Sequence, residues 1–186
     1  MKKKIQNAEL LDAATRIINS KGVSHLTLEN VALEAGVSKG GLLHYFPNKK
    51  ALIQGGINSV IETYTENLEK SAAKDPEPGG TLRAYIEVSL HDPEQMTAGL
   101  LAAIATDPEL LKPLQDHYAE WQKQVEDDGL DPVEATIVRL AVDGLWFCDM
   151  FGLAALDADL REKILQRLVT MTRTDKGNNS PDPQRA

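Results

Sequence analysis

The residues best placed to do chemistry lie in one stretch, Thr27–Lys50, which reads TLENVALEAGVSKGGLLHYFPNKK. Its side chains offer hydrogen bonds and cations, the means of holding a polyanion. Two short helices joined at Gly36-Val37-Ser38 must position them; neither could stand alone, but together they make a helix-turn-helix. Ala32 is small where the second helix crosses the first, and Gly36 can adopt the left-handed conformation of the turn. Val31, Val37 and Leu42 point inward and hold the crossing. Ser38 caps the second helix, so its free N–H groups face outward. Lys39, Gly40, Gly41, Leu43 and His44 are then left on the exposed side, placed for a major groove, and Lys49 sets a cation at the start of the next helix.

Charge supports a polyanion partner for this part alone. The 186 residues carry a net charge of −8. Residues 1–55 hold eight Lys/Arg against four acids, a net of +4, and residues 56–186 hold 12 against 24, a net of −12. A basic head on an acidic body meets a polyanion only through the head. A chain of this length buries roughly 70% of its unfolded surface, and its 42% hydrophobic and 26% charged residues are ordinary for a soluble protein. The single cysteine, Cys148, excludes an intramolecular disulfide and a multi-cysteine zinc site. There is no apolar run long enough to span a membrane. Asn7, Glu9 and Asp12 interrupt the stretch that a signal peptide opening on Lys2-Lys3-Lys4 would need, so the expected location is the cytoplasm. No G-x-S-x-G, H-E-x-x-H, P-loop or dinucleotide glycine pattern occurs, and His25, His44, His91 and His117 have no ligand spacing. An enzyme, a metal and a cofactor are not expected.

The periodicity is helical nearly throughout, and the fold class is all-α. Leu10, Leu11, Ala14, Ile17 and Ile18 form a first stripe that Gly22 stops. Thr27 precedes a helix over 28–35, and Pro47 ends the short one after Ser38. Asn48 caps a long helix over 49–73 with a core stripe of Leu52, Ile53, Ile57, Val60, Ile61, Tyr64 and Leu68. Asp75-Pro-Glu-Pro-Gly-Gly is a loop. Further helices are predicted near 81–90, 95–105, 108–127, 132–152 and 157–173, with Asp92-Pro93, Asp107-Pro108 and Asp131-Pro132 as N-cap and first-turn pairs. The domains are then a helix-turn-helix at 5–50, linked by helix 49–73, and a helical body at 51–173. The tail, 174–186, lacks periodicity and is expected to be disordered.

The stretch VALEAGVSKGGLLHYFPNKKAL resembles the DNA-binding head of the tetracycline-repressor-like family of bacterial regulators, at motif level over about residues 5–60. The resemblance implies a three-helix head joined by a fourth helix to a larger helical body that binds a small molecule and dimerises. Carried across by position, Thr27, Tyr45 and Lys49 touch phosphates and Ser38 caps the recognition helix. Lys39, Gly40, Gly41 and His44 lie against base edges or backbone. Gly41 stands where threonine is frequent and Leu43 where tyrosine is frequent, so those two contacts do not carry over. Leu43 can touch a thymine methyl or pack on the linking helix, and the Tyr45 ring can serve as core instead. Gly40-Gly41 weakens helix propensity by roughly 1 kcal/mol per glycine, which suggests ordering on DNA. Lys2–Lys4 reads as an arm to a neighbouring groove or as a frayed terminus.

In the body, residues 132–152 are apolar nearly all round: Val133, Ile137, Leu140, Ala141, Gly144, Leu145 and Cys148 cover more than half the circumference. Such a helix is buried on two sides, either within one subunit or against a partner. With Leu160, Ile164, Leu165, Leu168, Val169 and Met171 it could build a four-helix dimer interface. Tyr85, Met96, Tyr118, Trp121, Trp146, Phe147, Met150 and Phe151 are either plain core or the lining of a ligand pocket. Asp143 either faces a cationic ligand or pairs with Arg139 four residues before it; Asp149 is equally odd in its surroundings. No basic neighbour activates Cys148. The function expected is a sequence-specific, homodimeric transcriptional regulator of double-stranded DNA. The family resemblance makes it a repressor released from a palindromic operator by a small hydrophobic ligand. The alternatives are a ligand-independent dimeric regulator with a filled core and a helical small-molecule carrier.

Overall fold

The computed structural model describes residues 7–90, 102–103, 106–154 and 156–173. The expectations for Lys2–Lys4, the helix at 95–105, Asp92-Pro93, Met96 and the tail therefore lie largely or wholly outside the described residues. The chain gathers into two compact units interleaved along the sequence, residues 1–67 with 90–121 and residues 68–89 with 122–186.

In the first unit, α1 (Asn7–Lys21) buries Leu10, Ala13, Ala14, Ile17 and Ile18, the faces that three-and-four spacing puts on one side. Gly22 turns the chain at φ +84°, and a 3-10 turn, Val23–His25, follows that sequence periodicity does not signal. α2 (Leu28–Glu34) starts where Thr27 Oγ1 accepts from Asn30 N at 3.1 Å. Gly36 takes φ +68°, the left-handed conformation of the turn. α3 (Lys39–Tyr45) follows, with Ser38 Oγ accepting from Gly41 N at 3.1 Å. α4 (Lys49–Ala72) is capped by Asn48, whose Oδ1 accepts from Ala51 N at 2.8 Å. Val31 and Leu42 are fully buried and join Leu10, Ile17, Leu26, Phe46, Leu52 and Ile57 in one core, which also takes in Ala102, Ala103 and Leu110. Truncating a side chain such as Leu42 would cost about 2–5 kcal/mol.

The helix expected over 108–127 is two pieces. Asp107 Oδ1 accepts from Glu109 N at 3.1 Å, and Leu110 N bonds back to Asp107 O at 3.0 Å. Those bonds close a 3-10 turn, Pro108–Leu111, before α6 (Lys112–Glu126) begins.

The second unit packs α5 (Gly80–Ser89), α7 (Pro132–Phe151) and α8 (Ala158–Met171) together. Asp131 caps α7 by accepting from Val133 N and Glu134 N, and Gly152, at φ +63°, ends it. Asp157 caps α8. The loop before α5 is fastened from a distance. Asp128 accepts from Thr81 N at 3.1 Å and Leu82 N at 2.8 Å, capping a helix 46 residues away. Arg83 pairs with Asp75 at 2.6 Å and donates to Thr172 O at 2.7 Å. A Cβ on Gly79, which sits at φ +80°, would lie 2.1 Å from that same carbonyl, so only glycine fits there.

Candidate nucleic-acid interface and body sites

The candidate interface is built on the first unit. The Ser38 cap satisfies one orphan N–H and aligns α3 so that its remaining N-terminal donors face outward. Leu42 anchors the helix from beneath, fully buried, while Lys39, Gly40, Leu43, His44 and Tyr45 are exposed and Gly41 half-buried. The helix is formed across both glycines, and a Cβ on Gly40 would meet nothing within 4 Å. Leu43 is 37% exposed, so part of its side chain is open while the rest is covered. The Tyr45 ring is open as well and lies edge-on to His44 at 5.4 Å. Thr27 is half-buried, with its oxygen engaged at the α2 cap. Lys49 is half-buried in the first turn of α4.

The electrostatics of this unit contain residues that sequence reasoning missed. Residues 7–50 hold five Lys/Arg (Arg16, Lys21, Lys39, Lys49, Lys50) against four acids. Three of the five are paired: Arg16 with Glu34 at 2.9 Å, Lys50 with Asp107 at 2.7 Å, and Lys39 with Glu29. Lys39 holds the Glu29 carboxyl below the usual carboxylate range. Lys50 does the same to Asp107, which in turn raises the lysine. Among the described residues, Lys21 and Lys49 have no carboxylate partner. Glu29 and Lys39 stand on different helices, so their contact follows from the crossing of α2 and α3; the only sequence signal was an acid and a base on the two arms of one turn.

The body candidates separate. Tyr118 and Trp121 belong to the first unit, where Trp121, 2% exposed, stacks near Tyr64 with centroids 4.6 Å apart and meets Tyr118 at 5.2 Å. Tyr85 and Asp143 belong to the second. Tyr85 is also 2% exposed, and its hydroxyl donates to Asp143 Oδ1 at 2.6 Å, while Arg139 donates to Oδ2 at 2.5 Å. Burial pushes the Asp143 carboxyl up, with Tyr85 and Arg139 opposing. The Arg139 pair expected from spacing is thus present. Asp149 pairs with Arg161 at 2.9 Å. Trp146 and Met150 are half-buried, whereas Phe147 and Phe151 are exposed and stack at 4.7 Å. A cleft of about 70 Å³ lies in the first unit, lined by residues of α1 and α4 with Leu26 and Ala102; among the described residues, none of the pocket candidates lines it.

α7 has the two faces its composition demanded. Ala135, Val138 and Val142 are buried within the unit. On the other side Val133 (65% exposed), Ile137, Leu140 (55%), Phe147 and Phe151 remain open, with Gly144 between them and nothing within 4 Å of where its Cβ would stand. Their spacing alternates four and three, the repeat of a helix that packs against another helix.

Comparison with known proteins places these features in a family. The model described as "Bacterial regulatory proteins, tetR family" matches residues 10–55, and that described as "Tetracyclin repressor-like, C-terminal domain" matches residues 79–173. The HTH-type transcriptional regulator BetI of Burkholderia thailandensis is 32% identical over 91 residues, 48% of this chain and 47% of the relative. The match therefore spans about half the length of this curated relative. Among solved structures, a transcriptional regulator from Rhodococcus sp. Rha1 superposes with a TM-score of 0.73 at 19% identity, covering 90% of this chain and 96% of that one. A transcriptional regulator from Saccharomonospora viridis in complex with choline superposes with a TM-score of 0.72 at 18% identity, covering 88% and 95%. Among the described residues, no helix is long and apolar enough to cross a membrane.

Proposed function

The chain belongs to the tetracycline-repressor-like family of bacterial regulators, and from that premise we propose that it is a sequence-specific, homodimeric DNA-binding transcriptional repressor. Residues 5–50 are its helix-turn-helix domain, and residues 51–173 its ligand-binding and dimerisation domain. The observation that carries the reading is α3: a capped helix, anchored by Leu42, that leaves Lys39, Gly40 and His44 uncovered. Lys39, Gly40, Gly41, Leu43 and His44 enter the major groove, and Thr27, Tyr45 and Lys49 hold the flanking phosphates. The open stripe of α7, continued by α8, meets its copy across a two-fold axis. Two recognition helices then read half-sites of a palindromic operator about 34–36 Å apart.

A small hydrophobic ligand in the body releases the operator by favouring a dimer whose heads no longer match that spacing, and operator weakens ligand by the same factor. The choline-bound relative of the same fold supports a small-molecule effector. A second reading, a regulator with a filled core, draws on the burial of Tyr85 in one unit and of Trp121 beside Tyr64 in the other. Fluorescence anisotropy on DNA tiles from upstream of the protein's own gene tests the first part. One tile should bind far more tightly than the rest, and more weakly as salt rises; uniform weak binding to every tile speaks against it. Titrating small ligands into that complex separates the two readings, since a filled core predicts that none of them shifts it.

A further inference from the structure

The folded head carries less free positive charge than its sequence suggests. Its one recognition-helix cation, Lys39, is already bound by Glu29, from the first turn of α2. Both side chains are more than half exposed, so the pair is held neither by burial nor by packing. Two of the other four cations in residues 7–50 are neutralised in the same way. An ammonium has three donors. Lys39 can therefore keep Glu29 on one and offer the others to the O6 and N7 of a guanine, the acceptors that lysine reads in the major groove. Toward a phosphate backbone the same pair is nearly neutral, because the Glu29 charge meets the polyanion together with the lysine.

We propose that Glu29 is a specificity-determining residue, which withdraws Lys39 from sequence-independent phosphate binding while leaving it available to a base edge. The proposal rests on the DNA-binding reading above. Its signature is a change in non-specific binding that exceeds the change in specific binding. Removing the carboxylate frees one cation per head, and each phosphate neutralised adds about 0.9 to the slope of log K against log salt. For one head, that slope corresponds to roughly tenfold tighter binding to random DNA at 50 mM salt and roughly fourfold at 200 mM.

The test compares the full-length parent, Glu29→Gln, Lys39→Ala and the double variant on two probes: a duplex of scrambled sequence, and the duplex that the parent enriches most from a random pool. Glu29→Gln should tighten the scrambled duplex by about that factor for each head engaged and steepen its salt slope accordingly, change the enriched duplex less, and so narrow the ratio between them. In the Lys39→Ala background most of that effect should vanish. Equal binding of parent and Glu29→Gln to the scrambled duplex overturns the proposal. So does a loss confined to the enriched duplex, which would make Glu29 itself a base reader. If the parent enriches no sequence and does not bind the scrambled duplex, the DNA-binding reading falls and takes this proposal with it. Matching thermal melting curves across the four proteins exclude a folding cause.

Discussion

α3 and α7 each leave one face uncovered, and the difference between those faces distinguishes the partners proposed for them. α3 is short, is pinned by Leu42, and opens Lys39, Gly40, His44 and Tyr45. Such a face gains little from burial and much from hydrogen bonds and charge, which is what a DNA groove supplies. α7 is 20 residues long, buries Ala135, Val138 and Val142, and opens Val133, Ile137, Leu140, Phe147 and Phe151 at helix-pairing spacing. That face gains by leaving water, at about 25 cal/mol per Å² of apolar surface, and a second copy offers the same stripe. One region is therefore specified by what it can bond and the other by what it must hide.

The largest effect is expected on α7. Leu140→Asp places two like charges near the two-fold axis of the proposed dimer, which should weaken association by more than about 3 kcal/mol, over a hundredfold in dissociation constant. Sedimentation should show monomer, and operator binding should fall with it while the helical content stays that of the parent. Next in size, Tyr45→Ala with Lys49→Ala should leave dimerisation intact. Operator affinity should drop roughly tenfold to a hundredfold, and the salt slope should fall by about 2 as both copies of Lys49 are lost. Anisotropy over a salt series reads both quantities.

Smaller effects sharpen the contrast. Ser38→Ala removes the α3 cap, at about 1 kcal/mol, and urea unfolding should show that loss together with weaker DNA binding. The buried side of α7 contributes a pH effect of opposite kind. Asp143 keeps its proton to higher pH folded than unfolded, because burial disfavours its charge. The folded state then binds more protons just above the usual carboxylate range, so stability falls as pH rises through that window. Unfolding midpoints across mildly acidic pH should show the slope, and Asp143→Asn should flatten it without affecting dimerisation.

Much of this was legible in the sequence because it is local. The caps at Ser38, Asn48 and Asp131, the left-handed Gly36 and the two apolar faces of α7 all follow from residue types a few positions apart. The Arg139–Asp143 pair follows from helical spacing alone. What was hidden depends on how distant segments meet. Glu29 reaches Lys39 only through the α2–α3 crossing, and Asp128 caps α5 across 46 residues. Gly79 is confined by a carbonyl at Thr172, and no periodicity reports such approaches. The aromatic residues of the body illustrate the same limit. Composition groups Tyr85, Trp121 and Phe147 together, yet the first two are buried in different units and the third is open to solvent.

The most direct test of a dimeric reader is selection of bound duplexes from a random DNA pool with the full-length protein. Two inverted copies of one half-site, with centres one helical turn apart at about 34–36 Å, are the expected result, since they require α3 on the DNA and α7 at the two-fold axis together. Enrichment of a single unrepeated site, or of no sequence at all, would contradict it.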